Sequence, residues 1–200
     1  MIKLIILLSV LISCSAYGKS YHMIGDSIFA TMNHKVASDL YKMSGQQIID
    51  HSISGSWTNQ VVDQYRKMRN QADVVIMDGG GNNVLGSSGE CRYNMSDKCR
   101  QIIDSAVYDL HQAMQMMADD GVESFIFLGV HYTSKWNNGY NNAVDYAYTY
   151  LNSICDNAPF RCVMIDGRTV INNDNLLDWD GVHPNASGTY RIAEAINISL

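Results

Sequence analysis

Short apolar runs alternate along the chain with stretches in which apolar residues recur every three or four positions. Residues 21–24 form one such run, and Phe29, Met32, Val36, Leu40 and Met43 follow at helical spacing, which predicts strand, turn and helix in that order. Gly45 ends this helix. Residues 47–53 read as a second strand stopping at Ser54-Gly55-Ser56, and Val61, Val62, Tyr65 and Met68 mark one face of a helix that starts near Thr58. Residues 73–77 are a continuous apolar strand of the kind covered on both faces, running into Asp78-Gly79-Gly80-Gly81-Asn82-Asn83. Polar residues 84–98 read as a loop. A long stripe over residues 99–119, from Ile102 to Met117, predicts a helix closed by Gly121. Residues 124–130 are a fourth strand, 131–140 a loop, 142–157 a helix, 162–165 a fifth strand, and 186–198 a terminal helix.

Five strands alternating with helices predict an α/β protein with a doubly wound, mostly parallel sheet and right-handed crossovers. Ligand sites in such sheets lie outside the carboxyl ends of the strands. The polar candidates fall at those ends: Ser27 after the first strand, Gly55 after the second, Asn82 after the third, Asp180 and His183 after the fifth.

Asp180 precedes His183 by three residues in a loop bounded by Gly181 and Pro184, a spacing that lets the carboxylate reach and orient the imidazole. Such a pair activates a hydroxyl, and Ser27 in Gly25-Asp26-Ser27 is the candidate nucleophile, although the position also suits a helix cap. The backbone N–H groups of Ser27 and Gly55 and the side-chain amide of Asn82 are candidate donors to a developing oxyanion. The glycine run carries neither a Gly-x-Gly-x-x-Gly register nor a Walker lysine, which argues against a nucleotide site.

Composition narrows the picture. With 200 residues, 46% of them apolar, the chain suits one domain over residues 19–200. The net charge of -6 and the lack of a basic cluster argue against nucleic acid as a partner. Residues 1–18 read as a signal peptide: Lys3, an apolar run too short to span a membrane, then Ala16-Tyr17-Gly18 as a small-x-small cleavage site. The protein is therefore expected to be exported, periplasmic or secreted, with no transmembrane span in its mature form. The alternative is a lipid anchor at Cys14, since Leu11-Ile12-Ser13-Cys14 resembles a bacterial lipoprotein box. Four cysteines remain, and the local pairings Cys91 with Cys99 and Cys155 with Cys162 are expected as disulfides among three possible connectivities. No metal spacing and no cofactor motif is present, so no cofactor is implied.

Taken together, Gly25-Asp26-Ser27, Gly55, Gly80-Gly81-Asn82-Asn83 and Asp180-Gly181-Val182-His183-Pro184, in this order, resemble the four sequence blocks of the SGNH (GDSL-type) serine hydrolases. The resemblance runs from Tyr21 to the end. It implies a flavodoxin-like three-layer α/β/α sandwich, an esterase, lipase or thioesterase activity, and the roles given above to Ser27, Gly55, Asn82, Asp180 and His183. Two positions depart from the pattern: Asn83 stands where an Asp is usual, read as a change in loop support, and Ile28-Phe29 replace a Leu and a small residue.

Trp57, Tyr132, Trp136, Tyr140 and Trp179 fall in or near the loops expected to rim the site, and His131 is a candidate substrate contact. Aromatic rims suit sugar rings, so carbohydrate O-acetyl esters or other short-chain acyl esters are the first expected substrates and lipid acyl esters the second. A non-catalytic carbohydrate- or partner-binding protein is the alternative outside enzymes. Oligomeric state is not read from the sequence.

Overall fold

The computed structural model describes residues 18–200; the expected signal peptide and Cys14 lie outside the described residues, apart from Gly18. Five strands, β1 (Tyr21–Ile24), β2 (Ile48–Asp50), β3 (Val74–Asp78), β4 (Ser124–Leu128) and β5 (Arg161–Ile165), pair in the order β2-β1-β3-β4-β5, every pair parallel. β3 and β4 are buried along their whole length, as their unbroken apolar sequences require.

Helices cover both faces. α1 (Ser27–Ser44) and the terminal α7 (Ala186–Ser199, numbered in chain order) pack on one side, where Phe29, Val36, Leu40, Ile192 and Ile196 meet Met23, Ile76 and Ile126. α2 (Thr58–Lys67), α4 (Asp97–Asp119) and α5 (Asn141–Leu151) cover the other, where Val61, Tyr65, Leu110, Met117 and Tyr148 meet Ile24, Val75, Met77, Phe125 and Phe127. Short α3 (Gly81–Leu85) and α6 (Gly167–Val170) sit at strand ends. The chain passes outward from β1 to β2, then returns to place β3 on the other side of β1. The strand order reverses there, which opens a crevice between the ends of β1 and β3.

Both expected disulfides are formed, Cys91–Cys99 and Cys155–Cys162, with Cα separations of 5.0 and 5.3 Å. They are consistent with an oxidising compartment. Among the described residues no helix is long and apolar enough to cross a membrane.

Several local expectations are corrected. The loop expected over residues 84–98 is shortened to 86–96, because α3 takes residues 81–85, Asn82 and Asn83 among them, and α4 begins at Asp97. α5 ends at Leu151, short of residue 157, where a run of turns leads to the second disulfide. α1 is broken at Thr31–His34: Met32, Asn33 and His34 take left-handed φ of 50°, 58° and 60°, so Met32 leaves the buried stripe and lies exposed. Three such residues cost on the order of 1–2 kcal/mol each. The break is held by His34 Nδ1, 2.9 Å from Asp50 Oδ2 at the end of β2, an oxygen pair that also accepts the Ser52 hydroxyl.

Candidate active site

Ser27 opens α1 directly after β1, and the residue that caps the helix is Asp26, whose Oδ1 accepts the Ile28 N–H at 2.9 Å. The Ser27 hydroxyl is thus released from capping. It lies 2.9 Å from His183 Nε2, and His183 Nδ1 lies 2.5 Å from Asp180 Oδ2. Asp180 Oδ1 accepts the N–H groups of Val182 and His183 at 2.8 and 2.9 Å, so the three-residue spacing closes a turn around the carboxylate. Burial pushes the Asp180 carboxyl up, but the hydrogen bonds from His183 and from the Val182 and His183 amides outweigh it and hold the group below the usual carboxylate range. Asp180 is ionised at neutral pH and favours Nδ1–H on the imidazole, which leaves Nε2 free to accept a proton from Ser27.

The three oxyanion candidates follow three different strands, Ser27 after β1, Gly55 after β2 and Asn82 after β3, and of these Ser27 and Asn82 line the cleft. Gly55 sits in a tight turn at φ 80°, a conformation glycine adopts without strain. Among the described residues the N–H groups of Ser27 and Gly55 donate to no protein acceptor. Asn82 donates an amide hydrogen to the Ser56 carbonyl at 3.1 Å, which binds α3 to the Gly55 turn, and its side chain also reaches the Asp26 carboxylate beside the cleft. Asn83 supports the loop from beneath: its Oδ1 accepts both the backbone N–H and the hydroxyl of Thr58, at 2.9 and 3.0 Å.

His131 is buried beside the site, donating from Nε2 to the Val182 carbonyl at 2.8 Å. Burial lowers its pKa, so it stays neutral and steadies the loop carrying His183. Of the aromatics, Tyr140 lines the cleft, whereas Tyr132 is absent from its lining and donates its hydroxyl to Asp145 instead. Trp57 lays its ring against Gly86 at the end of α3. Trp136 and Trp179 are 85% and 93% exposed, on two loops joined by the Ser134 N–H donating to the Gly181 carbonyl.

Two residues that sequence reasoning passed over shape the site. Gln64 is buried on the inner face of α2 and grips Gly25 through both its N–H and its carbonyl, at 2.8 and 2.9 Å, while its amide also reaches the Ser56 hydroxyl. A glutamine three residues after Val61, on an otherwise apolar stripe, was the signal. Asp78, at the end of β3, is fully enclosed next to Asp26: its Oδ1 accepts the Asp26 N–H at 2.7 Å, and its Oδ2 has no partner among the described residues. Burial, and then repulsion by the Asp26 carboxylate, push Asp78 well above the usual carboxylate range.

An acid whose pKa is raised by folding holds a proton that the unfolded chain releases, so its contribution to stability falls as pH rises above 3.8. Asp78→Asn keeps the acceptor for Asp26 and cannot ionise. The titratable neighbours, Asp26, Asp50 and His183, are the same residues in both proteins. Denaturant unfolding at pH 5 and pH 8 should therefore show the variant gaining on the wild type at the higher pH, by up to about 1.4 kcal/mol per pH unit. An equal difference at both pH values would contradict the account.

Ser27, Asn82, His131 and Tyr140 line a cleft open to solvent. A sequence profile of the GDSL-like lipase/acylhydrolase family matches residues 21–196. Among curated protein sequences there is no match. Solved structures with similar folds include an acetylxylan esterase from Geobacillus stearothermophilus, 16% identical with a TM-score of 0.68 over 92% of this chain and 95% of that one. They also include a lipase/acylhydrolase from Enterococcus faecalis, 14% identical with a TM-score of 0.66 over 91% of this chain and 95% of that one. With its profile match spanning nearly all the described residues, the chain belongs to the GDSL-like lipase/acylhydrolase family and is a carboxylic ester hydrolase.

Proposed function

We propose that the protein is an exported serine ester hydrolase working through an acyl-enzyme on Ser27, with His183 as general base and acid and Asp180 as its orienting partner. The observation that carries this reading is the unbroken line of contacts from Asp180 Oδ2 to His183 Nδ1 at 2.5 Å and from His183 Nε2 to Ser27 Oγ at 2.9 Å. Ser27 Oγ attacks the ester carbonyl as Nε2 takes its proton. The carbonyl oxygen, now negative, is met by the N–H groups of Ser27 and Gly55 and the amide of Asn82. Collapse of the intermediate expels the alkoxide, which takes the proton back from Nε2. Water then repeats the sequence on the acyl-serine, with Nε2 accepting the water proton and returning one to Ser27.

Carbohydrate O-acetyl esters are the first substrate reading, supported by the exposed Trp136 and Trp179 beside the His183 loop and by the printed name of the acetylxylan esterase that shares the fold. Longer acyl esters, as in a lipase or thioesterase, are the second, favoured by Val84, Leu85, Leu128, Val130 and Val144 in the cleft wall. Export is supported by the apolar leader with Lys3 at its start and by the two disulfides. A fluorophosphonate probe tests the nucleophile. The mature protein should be labelled at Ser27 with loss of p-nitrophenyl acetate hydrolysis; a folded protein neither labelled nor active would return the reading to a binding protein.

A further inference from the structure

His131 presents an atom that the chemistry at Ser27 leaves unused. The residue follows β4, and β3 lies between β1 and β4, so two strand spacings put His131 and Ser27 roughly 10 Å apart on the cleft that both line. His131 Nε2 lies 2.8 Å from the Val182 carbonyl, which can only accept, so Nε2 carries the ring proton. Burial keeps the ring neutral. A neutral imidazole that donates from Nε2 holds a lone pair at Nδ1. Among the described residues no protein group meets Nδ1, and the enclosed side-chain nitrogen or oxygen left without a partner is Asp78 Oδ2 alone. Nδ1 is therefore reached from outside the protein, and the space that His131 lines is the cleft.

The surroundings make this atom selective. Leu128, Val130 and Val144 give the same side of the cleft an apolar wall. The Thr133 hydroxyl is engaged by the Asn137 carbonyl and Asn141 Oδ1, at 2.7 and 3.1 Å. Tyr140 can turn its hydroxyl to donate or to accept, so it does not discriminate. Nδ1 cannot turn, because the bond to Val182 fixes the ring, and its lone pair takes a donor and nothing else. A ligand that covers it without offering a donor strips away solvent and leaves the acceptor unpaired. We propose that His131 Nδ1 is a specificity-determining acceptor for a substrate hydroxyl, so that esters with a hydroxyl several bonds from the reacting carbonyl are preferred over those without one. This rests on the ester-hydrolase reading and adds what the far end of the substrate carries. The hydroxyl can belong to the acyl group or to the alcohol, since both give the same hydrogen bond.

Matched pairs of esters separate those sources. On the acyl side p-nitrophenyl 6-hydroxyhexanoate is compared with p-nitrophenyl heptanoate, and on the alcohol side methyl glucoside 6-acetate with cyclohexylmethyl acetate. In one pair the wild type should favour the hydroxylated ester by about tenfold or more in kcat/KM, and that pair identifies the source. His131→Gln places an amide where Nε2 stood, which keeps a donor for Val182, and puts no atom at Nδ1. The preference should vanish in this variant, read as a ratio within the pair whatever the absolute rates. His131→Asn does the opposite: it offers an acceptor at the Nδ1 position without reaching Val182, and should keep the preference while losing rate on both esters. Turnover by the wild type with no preference in either pair, a preference that survives in His131→Gln, or one that His131→Asn abolishes would overturn the proposal and leave the hydrolase standing. Should no ester be turned over, the hydrolase reading falls and binding decides on His131. In thermal unfolding, 6-hydroxyhexanoate or methyl glucoside should then raise the wild-type Tm more than heptanoate or cyclohexylmethanol does, an advantage lost in His131→Gln. Equal shifts in the wild type would remove His131 as an acceptor.

Discussion

Ser27→Ala is expected to lower kcat/KM on p-nitrophenyl esters by about 10⁴-fold or more while leaving the fold intact. The two halves of that expectation have separate causes. Activity falls because, among the described residues, no other hydroxyl is held within hydrogen-bond reach of His183 Nε2. Stability is spared because Asp26 caps α1, so the serine hydroxyl satisfies no helix amide and its loss removes only a bond to the imidazole. Stability should stay within about 0.5 kcal/mol of the wild type. His183→Ala should match Ser27→Ala, and the double variant should be hardly worse than either alone, because nucleophile and base act as one unit. Steady-state kinetics beside thermal unfolding checks all three proteins. Undiminished turnover in a folded Ser27→Ala protein would remove the triad.

The contacts joining Ser27, His183 and Asp180 could be anticipated from the sequence because chemistry restricts such residues to few types and topology restricts them to strand ends. Ser27, Gly55, Asn82 and the Asp180–His183 loop each follow a strand, and the parallel sheet with its order reversal brings those ends together. Local backbone was less legible. The break in α1 carries no glycine or proline to announce it. Its stabilising partner, Asp50, is on β2, so the left-handed turn at Met32–His34 depends on a contact that no helical window contains. α3 was hidden for another reason: Asn82 and Asn83 are poor helix formers that read as loop, yet each is paid for by a side-chain bond to the Ser56 or Thr58 region. Asp78 read as the first residue of a glycine-rich loop, and its burial follows only from how closely β1 passes it.

That close passage makes Gly25→Ala the most disruptive single methyl in the protein's site. A Cβ built at Gly25 would stand only 1.7 Å from Asp78 Oδ1, 2.8 Å from its Cγ and 2.9 Å from Phe29 Cδ2. Space, and not backbone conformation, requires glycine here, since Gly25 lacks a positive φ. Nor can the strand end retreat: Gln64 holds both the N–H and the carbonyl of Gly25, and the Ile53 N–H donates to the same carbonyl at 3.0 Å. Asp78 must swing away, which abandons the Asp26 N–H, shifts the start of α1 and moves Ser27 from His183. Overpacking of this kind costs about 3 kcal/mol or more, which for a chain of this size lowers Tm by roughly 6–12 °C. Displacing the nucleophile by about 1 Å adds a loss of about 10²-fold in kcat/KM. Gly45→Ala separates crowding from backbone strain: Gly45 is left-handed at φ 71° with open space around it, so its variant should lose about 1 kcal/mol and keep its activity. Equal effects from the two substitutions would mean that the contact between Gly25 and Asp78 does not set the position of Ser27.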